Sequence, residues 1–95
     1  MTVRFLAVAR RELAGQLAYM NVVAPAAGPR LRAAVKYALD LLEAGGVDGP
    51  ELMLRDGRRV RRWLVPPLVL FYVREKKGVL VVRVRHGAQR PITRR

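Results

Sequence analysis

The residues that could do chemistry cluster late in the chain. His86 is the single histidine. Its side chain is the one whose ordinary pKa lies close to neutrality. Arg83, Arg85 and Arg90 surround it, and Arg62 lies in an earlier segment. A guanidinium is a planar fork that can pair two oxygens of a phosphate at once. Arginines with a histidine therefore suit work on a phosphodiester. Cutting RNA without a metal needs a base for the 2′-hydroxyl, cations for the charged phosphorane and an acid for the leaving oxygen. Arg62, Arg83 and Arg90 could supply the cations, and His86 one of the proton-transfer roles. A lone histidine cannot be acid and base together. Glu43, Glu51 and Asp56 are nominal partners, but no spacing puts them beside it. The plainer reading makes the arginines solvated strand residues or partner contacts. It makes His86 a structural histidine bonded to backbone. Arg59, Arg61, Trp63 and Arg85 form a second set, read as contacts to a target or a binding partner. Trp63, flanked by arginines, could stack on a base or a partner, or simply pack half-buried in a strand.

Other chemistry is missing from the sequence. It has no cysteine, which removes disulfides, thiol nucleophiles and thiolate metal sites. It has no phosphate-binding glycine loop, no metal-spaced His/Asp cluster and no Ser/His/Asp set. No cofactor and no metal are expected. No apolar run approaches the ~20 residues that cross a bilayer, and no leader pattern opens the chain. A cytoplasmic protein is the expectation.

Charge is unevenly placed. Net charge is +12, from 19 Lys+Arg and 7 Asp+Glu. Residues 1–50 hold 6 basic and 4 acidic residues, and residues 51–95 hold 13 and 3, so the second part carries +10. Such a field attracts nucleic acid, an anionic surface or an acidic protein segment. An arginine-rich, alanine-rich composition also arises from a GC-rich genome. The crowding into one half is not explained that way.

The elements that must position these residues follow from periodicity. At 95 residues and 52% hydrophobic, the chain has the size and core of a single domain. Val3 to Val8 reads as a short strand. From about Ala9 the spacing becomes helical, through Leu13, Leu17 and Met20. Val22 to Pro29 breaks that helix, and Pro29 suits the first turn of the next. Leu31, Val35, Ala38, Leu39 and Leu42 mark the buried stripe of a second helix, which stops at Gly45-Gly46. Residues 47–57 read as a connection with a turn at Asp56-Gly57. Strands follow at Arg58–Val65, Leu68–Arg74 and Val79–His86, separated by Pro66-Pro67 and by Glu75-Lys76-Lys77-Gly78. Leu68–Arg74 is apolar enough to be covered on both faces. The order β-α-α-β-β-β implies an α+β fold, a helix hairpin on one face of a small antiparallel sheet. Strict alternation in the last strand turns Leu80, Val82, Val84 and His86 to the helices. It turns Arg83 and Arg85 to an open, arginine-rich face. The tail after Pro91, with Arg94 and Arg95, is expected to fray.

In this order several local patterns resemble the ParE/RelE toxin superfamily. Ala9-Arg10-Arg11-Glu12-Leu13 is similar to its Ala-x-x-Asp-Leu opening. Ala38-Leu39-Asp40-Leu41-Leu42 matches the end of its helix pattern. Arg61-Arg62-Trp63-Leu64-Val65, leading to Phe71-Tyr72-Val73, resembles its strand pair. Val82-Arg83-Val84-Arg85-His86-Gly87-Ala88-Gln89-Arg90 resembles its Arg-Val-x-His-Gly-x-x-Arg ending. The resemblance spans roughly residues 3–92. It implies a toxin of a type II toxin–antitoxin pair, held by a cognate antitoxin with an acidic or amphipathic tail. It also implies a choice of target. ParE-like members bind DNA gyrase without catalysis, and RelE-like members cut messenger RNA on the ribosome. The RelE-like pattern has a tyrosine after the final strand and several lysines near the second helix. Here the tyrosines are Tyr19, Tyr37 and Tyr72, and the second helix has only Lys36. The leading expectation is thus a ParE-like inhibitor of type II topoisomerase, associated with growth arrest and plasmid stabilisation. A ribosome-dependent endoribonuclease using Arg62, Arg83, His86 and Arg90 is the alternative, and a non-toxic basic RNA-binding module the second alternative.

Overall fold

The computed structural model describes residues 2–93. Its elements are β1 (Thr2–Phe5), α1 (Ala7–Val23), α2 (Ala27–Ala44), β2 (Glu51–Met53), β3 (Arg59–Val65), β4 (Leu68–Glu75) and β5 (Gly78–His86). The fold is α+β. One sheet runs β1-β5-β4-β3-β2. β1 is parallel to β5, and the remaining neighbours are antiparallel. A parallel pair needs a long crossover, and here the helix hairpin lies between β1 and β5 in the chain.

The hairpin forms where the helical periodicity placed it. Ala9 and Leu17 are buried, with Leu13 and Met20 packed against the same cluster. β1 is shorter than the expected Val3–Val8. The Leu6 N–H still donates to the Val81 carbonyl, while the Leu6 carbonyl already accepts from the Arg10 N–H. Leu6 is therefore the hinge between ladder and helix. α1 persists to Val23, and three residues suffice for the link to α2. Pro29 sits in the first turn of α2, where a missing N–H costs no helical bond. Leu31, Val35, Ala38, Leu39 and Leu42 are all buried. Gly45 ends the helix at φ 83°, a conformation open to glycine at little cost.

The sheet separates two apolar clusters. Leu68, Leu70 and Tyr72 of β4, Val79, Val81 and Val84 of β5, and Val65 of β3 pack under the helices. Val60, Phe71 and Val82, with Leu54, form a smaller cluster on the far side, flanked by Leu80, Val69 and Ile92. β4 is thus covered on both faces, as its composition implied. The facing of β5 corrects the strict alternation read from sequence. A register shift falls between Phe71 and Tyr72, where Phe71 pairs with Arg83 and Tyr72 with Val81. Val82 is the extra residue of a β-bulge. Val79 and Val81 therefore lie on the helix side and Leu80 and Val82 on the other, opposite to expectation. Beyond the bulge Val84 returns to the helix side, and Arg83 and Arg85 pair with Phe71 and Val69 of the far face, as expected.

Two further differences concern the expected connection and the tail. Residues 47–57, read as connection alone, contain β2, a three-residue edge strand on β3. The post-helix run is accordingly four strands long. Ile92 and Thr93 lie against residues 54–55, through the Arg55 N–H to the Ile92 carbonyl and a Leu54–Thr93 bridge. Arg94 and Arg95 lie outside the described residues. Gly78, opening β5, allows the close approach of β1, since a Cβ there would run into the Thr2 carbonyl oxygen.

Candidate functional site

On the sheet face away from the helices, β3, β4, β5 and the tail enclose a shallow cavity of about 230 Å³. Val69, Phe71 and Ile92 give it an apolar floor, and Arg62, Arg85, His86, Gln89 and Arg90 line it. Alternation along β3 brings Arg62 to this face, on the same side as Val60. Arg85 comes from β5 beyond the bulge, and Arg90 from the turn after it. Two of the three expected cations, Arg62 and Arg90, thus converge although they are 28 residues apart in the chain, and Arg85, expected as a partner contact, joins them. Arg62 and Arg90 make no side-chain hydrogen bond or ion pair among the described residues. The Nη2 of Arg85 donates to the Arg90 carbonyl at 2.8 Å. Its Nε is buried without a hydrogen-bond partner.

His86 borders this cavity at the end of β5, paired with Leu68. The following turn holds it. Its Nδ1 accepts from the Ala88 N–H at 3.0 Å, and its own N–H donates to Gln89 Oε1 at 2.6 Å. An accepting Nδ1 places the proton of a neutral ring on Nε2. Among the described residues, no carboxylate and no tyrosine lines the cavity. Glu51 and Asp56 are paired instead with Arg59 and Arg58, and Glu43 is on α2, away from this face.

Arg83 stands apart from that group. Its Nε and Nη2 donate to the two carboxylate oxygens of Glu12 at 2.9 and 2.7 Å. The same carboxylate accepts from the Val84 N–H at 3.0 Å, and Arg85 Nη1 lies 3.8 Å away. Past Val81, β5 has run out of β1 to pair with. Glu12, on α1, takes over as acceptor for that free edge. Burial opposes ionisation of Glu12. Hydrogen bonds from Arg83 and Val84, and the charges of Arg83 and Arg85, outweigh it and hold the carboxyl below the usual carboxylate range. For Arg83, the hydrogen bond to Glu12 raises its pKa further, against burial.

The second set of residues does not gather into one site. Arg59, Arg61 and Trp63 alternate onto the helix side of β3, opposite Arg85. Arg59 pairs with Glu51 at 3.3 Å. Arg61 donates to the Gly49 carbonyl at 2.9 Å. Trp63 is half-buried against the helix-side cluster. Tyr72, fully buried, donates to Asp48 Oδ1 and accepts from the Gly49 N–H, both at 2.8 Å. Arg74 clamps the same carboxylate at 2.9 Å. That hydrogen bond lowers the Asp48 pKa against the opposing effect of burial, with Tyr72 adding to the lowering. These contacts tie the 47–50 loop to the sheet.

Glu12, Asp48 and Gln89 escaped the reading from sequence. Glu12 sat within a recognised motif at the opening of α1, so its position was visible, but its partner is 71 residues away. Among the described residues no group of His, Cys, Asp and Glu gathers that could hold a metal ion, and no helix is long and apolar enough to cross a membrane.

Comparison with known families is consistent with this fold of a strand, a helix hairpin and a run of strands. A search of curated proteins finds no match. The family described as "ParE toxin of type II toxin-antitoxin system, parDE" matches residues 3–91, which spans every element from β1 to the turn after β5. The chain therefore belongs to the ParE toxin family of type II toxin–antitoxin systems, a family whose members have a cognate antitoxin as partner.

Proposed function

We propose that this chain arrests growth by inhibiting DNA gyrase or a related type II topoisomerase, acting as an interaction protein without catalysis. One observation carries the proposal. Among the described residues, the cavity that gathers Arg62, Arg85, His86 and Arg90 has no second proton-transfer group in its lining. The alternative cation, Arg83, is engaged by Glu12. Metal-free RNA cleavage needs an acid and a base on opposite sides of the phosphate. The cavity offers one imidazole, and its Nδ1 is occupied by a backbone N–H.

The helix hairpin offers the contact surface that inhibition by binding requires. Tyr19, Val22 and Val23 on α1 and Tyr37 on α2 are exposed, at 64%, 80%, 54% and 69%. Large apolar side chains left exposed on a helix can serve as partner contacts. Arg30, Arg32 and Lys36 add positive charge along α2. Antitoxin recognition would draw on the +10 of residues 51–95, since opposite charge speeds capture of a segment that folds as it binds.

The test is supercoiling of relaxed plasmid by purified gyrase with the purified chain added. Inhibition with accumulation of linear, cleaved plasmid is expected. Undisturbed supercoiling, together with cleavage of messenger RNA in a translating extract, would reverse the assignment. The gathering of Arg62, Arg85 and Arg90 around His86 is what favours that ribonuclease alternative.

A further inference from the structure

We infer that the cavity formed by Arg62, Arg85 and Arg90 is a binding site for the phosphate groups of a nucleic-acid strand, independent of any catalysis. The inference goes beyond the toxin reading, and binding in a purified system tests it separately from growth arrest.

The argument begins with unmet demand. A folded protein leaves few buried polar atoms without a partner, and each such atom asks for an explanation. Arg85 Nε is buried and unpartnered. It belongs to a side chain that is 19% exposed, whose Nη1 makes a long ion pair with Glu12 at 3.8 Å. Arg62 and Arg90 point no side-chain hydrogen bond at any described residue. Yet all three line one cavity of about 230 Å³ with His86 and Gln89, and among the described residues no acidic side chain is in its walls. Arg85 shares the Glu12 carboxylate with Arg83, but Arg62 and Arg90 stand beside it with no acidic partner among the described residues. Guanidinium groups so gathered repel one another, so an anion is the ligand that relieves the arrangement.

The kind of anion follows from the number of donors. One carboxylate has few acceptor positions: Glu12 takes the Arg83 fork and the Val84 N–H, with Arg85 Nη1 3.8 Å away. The two free forks of Arg62 and Arg90, with the Arg85 charge and an imidazole beside them, exceed what a single carboxylate can accept. A phosphodiester presents oxygens in several directions and repeats along a strand, so successive phosphates can engage separate arginines. The apolar floor of Val69, Phe71 and Ile92 gives a sugar or base a dry surface beside those contacts. An open, shallow shape suits a strand passing over it.

The experiment uses the full chain and a fluorescein-labelled deoxythymidine strand of about twelve nucleotides, followed by anisotropy over a salt series. Two doubly substituted proteins remove the same charge from different places. Arg62→Gln with Arg90→Gln empties the cavity rim, and Arg30→Gln with Arg32→Gln removes exposed charge from α2. Unchanged melting of each by circular dichroism establishes that both are folded. The rim pair is expected to weaken binding roughly tenfold more than the helix pair. It should also flatten the salt slope by about 1.4, the loss of two single-strand phosphate contacts. Arg85→Gln should weaken binding with the rim residues intact. Equal losses from the two pairs would mean that net charge alone attracts the strand, and the site would be refuted. Absence of binding by the unsubstituted chain would refute it too. Displacement of the strand by an equal concentration of a glutamate-rich peptide of matched charge would reassign the cavity to carboxylates and overturn the phosphate inference.

Discussion

The two faces of the sheet solve different problems. The face under α1 and α2 is a closed apolar layer, in which Leu42, Leu70, Tyr72, Val79 and Val81 are completely buried. The far face has a cluster of only four buried residues, and beside it lie arginines in a shallow cavity. Stability should therefore reside on the first face and recognition on the second. The difference teaches that charge in this molecule is sorted by location. Arg83, Arg74, Arg59 and Arg4 have acidic partners in the fold. Arg62 and Arg90 have none among the described residues.

The largest expected effect breaks the covered face. Leu42→Ala removes a side chain with 0% exposure and leaves a cavity, at a cost of about 2–5 kcal/mol. Urea unfolding measures this. A loss below about 1 kcal/mol would mean that the helix layer is not the stabilising one. Next is the tie between α1 and β5. Glu12→Gln leaves Arg83 half-buried without its counter-charge and should cost about 1–3 kcal/mol. Tyr72→Phe comes third. It strands the Gly49 N–H and loosens Asp48, for about 1–2 kcal/mol, with faster amide exchange confined to residues 47–50. The smallest effect falls on the far face. Arg90→Gln should change stability by no more than about 0.5 kcal/mol while weakening strand binding.

Acid sharpens the same comparison. The Glu12 pKa is lowered in the folded chain. Its contribution to stability is therefore fully present above its unfolded value, about 4.3, and is lost as pH falls through the lower folded value. Asp48 behaves in the same sense. Stability measured downward from pH 6 should fall, and Glu12→Gln should fall less steeply. Parallel curves for the two proteins would show that Glu12 is not stabilised as its contacts imply.

Much of the covered face was legible from sequence. Leu31, Val35, Ala38, Leu39 and Leu42 follow helical spacing because one stripe must meet the sheet, and all five are buried. Gly45 marked the stop because few other residues take its backbone angle freely. The far face was legible in part. Alternation in β5 put Arg83 and Arg85 on it. Alternation in β3 did not say which of its faces is covered, so Arg62 could not be placed, and no periodicity follows Arg90 past the end of β5. The bulge at Val82 was not legible, since alternation carries no record of an inserted residue. β2 was hidden because three residues beside Gly49 and Pro50 carry too little periodicity. The Glu12–Arg83 pairing was hidden because it closes over 71 residues. The motif at α1 showed that Glu12 was in position without showing what it would hold.

The most direct measurement of the proposed function is induction of this gene alone in a bacterium, with labelled precursors following DNA and protein synthesis over minutes. DNA synthesis is expected to stop first, with an SOS response, and to recover when the cognate antitoxin is supplied. Early arrest of protein synthesis with DNA synthesis intact would contradict gyrase inhibition and make Arg62, His86 and Arg90 candidates for catalysis.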